Sequence, residues 1–257
     1  MPDQTTKPIA VQLYSLRMLD QPLSQTLHQV ADMGYRGVET IRDHGLTASE
    51  MKDLLDANKL TACSTHVPLE QFENELGNVI AFNQAISNDC LVLPALPQNI
   101  RPADATGWVE MGRRLDAIGR RCVESEMRFV YHNHAWEMEE LDGKLALEWL
   151  FEGASPENLQ WEPDVAWIVR GGVDPLKLLA QYAGRCPRVH VKDIAPAGQN
   201  EDQMGFADVG HGTLDWSKLL PAAKAAGAEW FIVEHDLPKQ PLDSVRRSLE
   251  FLDSALE

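Results

Sequence analysis

Apolar residues in this chain fall into two kinds of run that alternate from end to end. Short runs rich in β-branched and aromatic residues, bounded by glycine, proline or polar residues, predict strands at 9–16 (IAVQLYSL), 37–41, 60–67, 90–96, 129–131, 159–165, 188–194 and 230–234. Between them, apolar residues at helical spacing predict helices at 22–33, 47–58, 69–87, 104–125, 145–151, from Asp174-Pro175 onward, 215–226 and 241–256. The stripes are explicit: Leu23, Leu27, Val30 and Ala31 in the first helix, Trp108, Met111, Leu115 and Ile118 in the long middle one. A loop of about twenty residues follows the seventh strand, well above the roughly two to six usual for such connections, and its glycines (Gly198, Gly205, Gly210, Gly212) predict a mobile lid.

Strand–helix alternation of this kind builds right-handed parallel units, and no composition break marks a linker. The expected fold is α/β, one domain spanning residues 1–257 as a single closed (β/α)8 TIM barrel. An open doubly wound sheet is the competing architecture. It would place a glycine-rich GxGxxG turn after the first strand, and none stands there.

The strand ends carry the chemistry. Arg128-Phe129-Val130-Tyr131 runs without a turn signal into His132-Asn133-His134 and Glu137, and in a strand His132 and His134 share one face. Later strand candidates close on Asp164, on His190-Val191-Lys192-Asp193 and on Glu234-His235-Asp236. A barrel brings all of these ends to one mouth, together with Glu39 and His66. Single residues have plain structural readings: Glu39 as a satisfied edge carboxylate, His66 as a structural histidine before Pro68, Lys192 as a core lysine paired with an acid. Four candidates on successive strands, Glu137, Asp164, His190 and Glu234, read better as ligands of one divalent metal ion. Their oxygen-rich donor set favours Mn2+, Mg2+ or Co2+ and allows Zn2+.

Composition narrows the partners. With 39 acidic against 23 basic residues the formal charge is −16, so the chain lacks the positive footprint that nucleic acid requires. No apolar run spans a bilayer, and the polar N-terminus does not resemble a signal peptide. The four cysteines form no CxxC pair and fit a reducing cytoplasm. A cytoplasmic protein with no nucleic-acid and no membrane partner is expected, and a homo-oligomer is allowed.

These motifs resemble the xylose isomerase-like barrels grouped as sugar phosphate isomerases/epimerases. The resemblance runs from Val11-Gln12-Leu13-Tyr14-Ser15-Leu16-Arg17 through YHNHAWE and HVKD to Val209-Gly210-His211-Gly212 and the closing VEHD. It implies one divalent ion held by a Glu, an Asp, a His and a second Glu; Asp164, His190 and Glu234 match the last three. Glu137 is the expected first ligand, with His132 or His134 as the alternative. Paired histidines at this point lean away from the ketose 3-epimerases and towards inosose dehydratase-like and 3-keto-glycoside-processing branches.

The expected reaction is proton transfer next to a carbonyl of a keto-sugar, inosose or related polyol, through enediolate chemistry. Glu137, Glu234, His134 and Lys192 are the candidate catalytic groups, and Glu39, His66, His132, Trp167 and His211 the candidate substrate contacts. An isomerase or epimerase is the first expectation, a dehydratase or lyase the alternative, and a non-catalytic sugar-binding barrel the second alternative.

Overall fold

The computed structural model describes residues 7–256. Its frame is eight parallel strands: β1 (Ile9–Gln12), β2 (Gly37–Ile41), β3 (Thr61–His66), β4 (Cys90–Leu93), β5 (Arg128–His132), β6 (Gln160–Glu162), β7 (Arg188–Val191) and β8 (Trp230–Val233). Each pairs with the next from β1 to β6, and β8 pairs with both β1 and β7. Between β6 and β7 the ring is joined by a single parallel bridge, Asp164 to His190, in which the His190 N–H donates to the Pro163 carbonyl at 2.9 Å. Pro163 has no N–H with which to continue a ladder, so the seam stays thin. The expected TIM barrel is the observed fold.

The helices are α1 (Leu23–Met33), α2 (Ala48–Asn58), α3 (Leu69–Asn74), α4 (Leu76–Ala85), α5 (Ala105–Val123), α6 (Ala146–Glu152), α7 (Val165–Arg170), α8 (Pro175–Gln181), α9 (Trp216–Ala226) and α10 (Pro241–Ala255). Local chemistry sets their ends: Thr47 and Glu50 form a reciprocal capping box on α2, and Asp104, Asp164 and Asp174 cap α5, α7 and α8. Three expectations shift. The strand expected over 9–16 stops at Gln12, whose buried side chain accepts the Tyr14 N–H and turns the chain into a 3-10 turn. The helix expected over 69–87 is two helices broken at Glu75, where φ is −134°. The sixth strand ends at Glu162, and α7, which the apolar pattern did not announce, follows at once.

Most apolar burial lies between the strands and the helix ring. Inside the barrel the filling is small: Ala10, Cys63 and Ile232, with Cys90, Val92 and Val130. Below it the buried Arg188 guanidinium closes the base, donating to the Cys63 carbonyl at 2.8 Å and to Glu229 at 2.9 Å. Above it the interior is polar, and β7 shows the gradient on one face: Arg188, His190 and Lys192 at period two.

The long connection after β7 is pinned at several points. Asp193–Ile194 pairs antiparallel with Phe206–Ala207, and Arg170 donates to the Met204 carbonyl at 2.6 Å. The Asp193 carboxylate accepts the N–H groups of Ile194, Gly210, Gly212 and Leu214 and the Trp216 indole N–H. The segment expected as a lid covers Trp167 with Phe206, and these contacts fasten it in this position.

Candidate active site

Strand phase brings the polar residues together. A register shift between Val38 and Glu39 sets Glu39 across from Ser64, whose hydroxyl donates to it at 2.6 Å; Gln12 donates to its other oxygen at 2.6 Å. On that oxygen the Nε2 atoms of His190 and His66 also converge, at 2.6 and 3.0 Å. Burial alone would raise the Glu39 pKa, but the two histidines outweigh it and hold the carboxylate well below its usual range.

Glu162 is the second centre of convergence. Its Oε1 lies 3.2 Å from His66 Nε2, 3.1 Å from His132 Nδ1 and 3.1 Å from His190 Nε2. Burial and the neighbouring Glu39 charge push its pKa up; the charge on His190 and the hydrogen bonds from His132 and His190 win and hold it at about 2. Burial works against charge on the histidines too, and the outcomes differ. Glu39 and Glu162 raise His66 to about 9 and His190 well above the ordinary value, whereas His132, next to the His190 charge, is held well below it.

The third group surrounds Lys192, which is fully buried. Its ammonium lies 2.9 Å from Asp164, 2.7 Å from Glu234 and 2.7 Å from Asp236. Against burial, these acids raise its pKa and keep it charged. Lys192 and His190, whose Nδ1 donates to Glu234 at 3.1 Å, hold Glu234 well below the usual carboxylate range despite its burial. Asp164 goes the other way, because burial outweighs Lys192 there.

Two sets of donor atoms lie close enough to share one cation, each with all atoms within 4.8 Å of one another: His66, His132, Glu162 and His190, and His132, Asp164, His190 and Glu234. Three imidazole nitrogens aimed at one oxygen, with the second Glu162 oxygen buried and unpartnered, fit a site shaped for a positive ion. The mixed imidazole and carboxylate donors suit a divalent metal.

Glu137, expected as the first ligand, is in neither set. It lies on a 3-10 turn, Trp136–Met138, where its carboxylate accepts the Tyr131 hydroxyl at 2.6 Å and the His134 backbone N–H at 2.7 Å. Its burial raises its pKa to about 7, against both hydrogen bonds. Asn133 ties the same turn to the next strand, its side-chain oxygen accepting the Trp161 indole N–H at 3.0 Å and the Asp164 N–H at 3.1 Å.

Above the donor atoms opens a cavity of about 260 Å3, lined by His66, His132, His134, Glu234 and Asp236 below and by Tyr14, Ile41, Arg42, Pro68, Pro94 and Ala95 around the wall. His134 is stacked on Trp136 at 4.2 Å, with the Arg101 guanidinium 3.5 Å from the Trp136 ring, and Trp167 stands 5.2 Å from it. Its Nδ1 is buried without a partner, and burial with the Lys192 charge lowers its pKa to about 3, so the ring is neutral. Of the expected residues, Glu39, His66, His132, Asp164, His190, Lys192 and Glu234 come together, and His134 and Trp167 border them. His211 does not: it is exposed on the glycine turn and does not line the cavity. Sequence reasoning passed over Glu162, Gln12, Ser64 and Arg42. Glu162 was within reach, two residues before Asp164 and therefore on the same strand phase.

Among the described residues, no helix is long and apolar enough to cross a membrane. A family model described as "Xylose isomerase-like TIM barrel" matches residues 27–255. An inosose dehydratase of Clostridium botulinum (strain Eklund 17B / Type B) is 24% identical over 201 residues, 69% of this chain and 65% of the relative. One of Bacillus cereus (strain AH820) is 22% identical over 247 residues, 84% of this chain and 82% of the relative. The chain thus spans 65% of the length of the first clostridial relatives it matches. A solved sugar phosphate isomerase/epimerase from Parabacteroides distasonis ATCC 8503 superposes with a TM-score of 0.82 at 20% identity, covering 98% of this chain and 96% of that one. The probable 3-DHS dehydratase AsbF of Bacillus anthracis gives 0.77 at 14% identity, covering 96% and 99%.

Proposed function

The chain belongs to the xylose isomerase-like TIM barrel family, and on that premise we propose that it is a divalent-metal-dependent enzyme that removes the proton beside the carbonyl of a cyclic keto-polyol and expels a β-hydroxyl as water. The observation that carries the reading is the set His132, Asp164, His190 and Glu234, four strand ends whose donor atoms lie within 4.8 Å of one another at the floor of an open cavity. The relatives named inosose dehydratase favour dehydration over the isomerase or epimerase outcome expected first.

In this reading His132, Asp164, His190 and Glu234 hold the ion, and Glu137 does not. When bound, a divalent ion supplies Lewis-acid polarisation of a ketone, which acidifies the adjacent C–H. His134, neutral and lining the cavity, accepts that proton. The C–H electrons pass first into an enolate, which can take a proton back at carbon or collapse to the new double bond as the β C–O bond breaks and the hydroxyl takes a proton to leave as water. Lys192 stands among the acids as a charged donor for oxygen at the floor, and Trp167 and Phe206, with ring centroids 5.2 Å apart, cover it. Manganese-loaded protein mixed with a 2-keto-inositol should produce the conjugated elimination product, seen as new ultraviolet absorbance. No product and no solvent deuterium in the recovered ketone would overturn the reading.

A further inference from the structure

An imidazole that holds a cation through one ring nitrogen keeps its proton on the other, and a buried N–H needs an acceptor. The two histidines common to both donor sets meet that need in opposite senses. His190 turns Nε2 to the inner carboxylates, 2.6 Å from Glu39 and 3.1 Å from Glu162, and Nδ1 to Glu234 at 3.1 Å. His132 turns Nδ1 to Glu162 at 3.1 Å, which leaves Nε2 as its nitrogen for a ligand.

The two inner carboxylates lie behind these rings. Glu39 and Glu162 are fully buried and neither lines the cavity, whereas His66, His132 and Glu234 do. Backbone register sets the contacts: Glu39 is the partner of Gln12 across β1 and β2 and of Ser64 across β2 and β3, and Glu162 is the partner of His132 across β5 and β6. The Glu39 oxygens already take four donors, from Gln12, Ser64, His66 and His190, about the capacity of a carboxylate. His66 Nε2, 3.0 Å from Glu39 and 3.2 Å from Glu162, ties the pair together. Carboxylates so placed and so occupied are suited to hold the far side of metal ligands, and Glu39 has little capacity left to be a ligand itself.

We propose that Glu39 and Glu162 are positioning residues of the metal centre: accepting Nε2–H of His190 and Nδ1–H of His132, they present Nδ1 of the first ring and Nε2 of the second to the ion. This rests on the outer donor set of the function proposed above, and it adds which nitrogen of each histidine binds and what fixes the choice. A carboxylate on the far N–H also makes the ligating nitrogen more basic and holds the ring in plane for the ion.

The test reads the ion and not turnover. Crystals of the full wild-type chain grown with manganese, with the ion located by its anomalous scattering, are expected to show it bonded to His190 Nδ1 and His132 Nε2 beside Asp164 and Glu234. Calorimetry gives the weight of the inner pair: Glu162→Ala should lower manganese affinity about ten- to a hundredfold, the usual cost of losing such a partner. Glu162→Gln, whose amide oxygen still accepts an N–H, should recover most of that loss, which a purely volume-filling role would not require. Manganese bonded to His190 Nε2 or His132 Nδ1, among Glu39 and Glu162, would overturn the proposal, as would wild-type affinity in folded Glu162→Ala. Manganese on Asp164 and Glu234 without either histidine would overturn it and leave an ion at the mouth. No bound manganese would overturn this inference and the metal-dependent function together. Manganese on the expected nitrogens of a protein that neither eliminates water nor exchanges deuterium would refute the proposed function and leave this inference standing.

Discussion

The Gly212 N–H donates to the Asp193 carboxylate at 3.2 Å, and a Cβ on Gly212 would meet that carboxylate at 2.2 Å. The glycine turn that could have cradled a substrate anion is filled by the chain's own anion. Four further N–H donors share it, among them the Trp216 indole at 2.7 Å. Asp193 thereby fixes the segment directly after Lys192.

Asp193→Asn is expected to destabilise the protein by about 2 kcal/mol or more, since an amide leaves buried donors without a charged acceptor. The amides of Gly210, Gly212 and Leu214 should exchange with solvent faster, while those of β1 and β8 keep their protection. Hydrogen exchange read by peptide checks it; wild-type rates through 206–214 would remove the staple argument.

Glu137 gives a pH signature. Burial raises its pKa to about 7 from an ordinary 4.5, so the folded protein holds a proton there that the unfolded chain releases. Its contribution to stability is then fully present below about 4.5 and is lost as pH rises through about 7; at about 1.4 kcal/mol per pKa unit the loss is about 3.5 kcal/mol. Glu137→Gln, in which the Tyr131 hydroxyl can turn to accept from the amide, should become more stable relative to wild type between pH 5 and pH 8. Denaturant melts of both proteins at the two pH values decide the matter, and parallel pH dependence would contradict the assignment.

The same residue shows where the sequence was legible and where it was not. Alternation put His132 on the barrel's inner face, and His132 is there; it also put His134 on that face, but the strand ends at His132 and His134 reaches the mouth from a turn. Glu137 lies beyond that end, where no periodicity operates, and its direction follows from the Tyr131 hydroxyl and the His134 N–H. The barrel was legible because strand and helix periods differ. The break at Glu75 and the short α7 were not, because each depends on one or two backbone angles that apolar spacing does not encode. Arg42 escaped notice since an arginine after a short strand looks like any surface arginine until the cavity beside it is known.

Ligand variants should separate the donor sets. His190 belongs to both sets, so His190→Ala is expected to abolish binding of manganese; Glu137→Gln should retain it. His132 also belongs to both, so His132→Ala should lose it, while Asp164→Asn should lose more affinity than Glu162→Gln if the ion sits on the set of His132, Asp164, His190 and Glu234. Binding must also displace the proton that Glu162, Glu39 and Glu234 hold on His190, so affinity should rise with pH from 6 to 8, by up to about tenfold per proton released for each pH unit. Calorimetry in two buffers of different ionisation heat counts those protons. Manganese affinity unchanged in His190→Ala would end the site assignment.

His134 carries the last prediction. Its ring is held by the Trp136 stack, its backbone by Glu137, and it lines the cavity, so a group on the substrate is what it is placed to meet. If it takes the proton beside the ketone, a 2-keto-inositol in heavy water acquires deuterium at that carbon in the unreacted ketone, and His134→Asn slows this wash-in by about a hundred- to ten-thousand-fold, the usual weight of general-base catalysis. Asparagine keeps the backbone N–H that Glu137 accepts, so manganese binding and the melting temperature should stay near wild type. Lys192→Met discriminates further. An ammonium that only steadies developing charge would, when removed, slow wash-in and water loss together, whereas one that protonates the leaving hydroxyl would, when removed, slow water loss and leave wash-in intact. Wash-in at the wild-type rate in His134→Asn would move the base to another residue of the mouth, with Glu234 next in line.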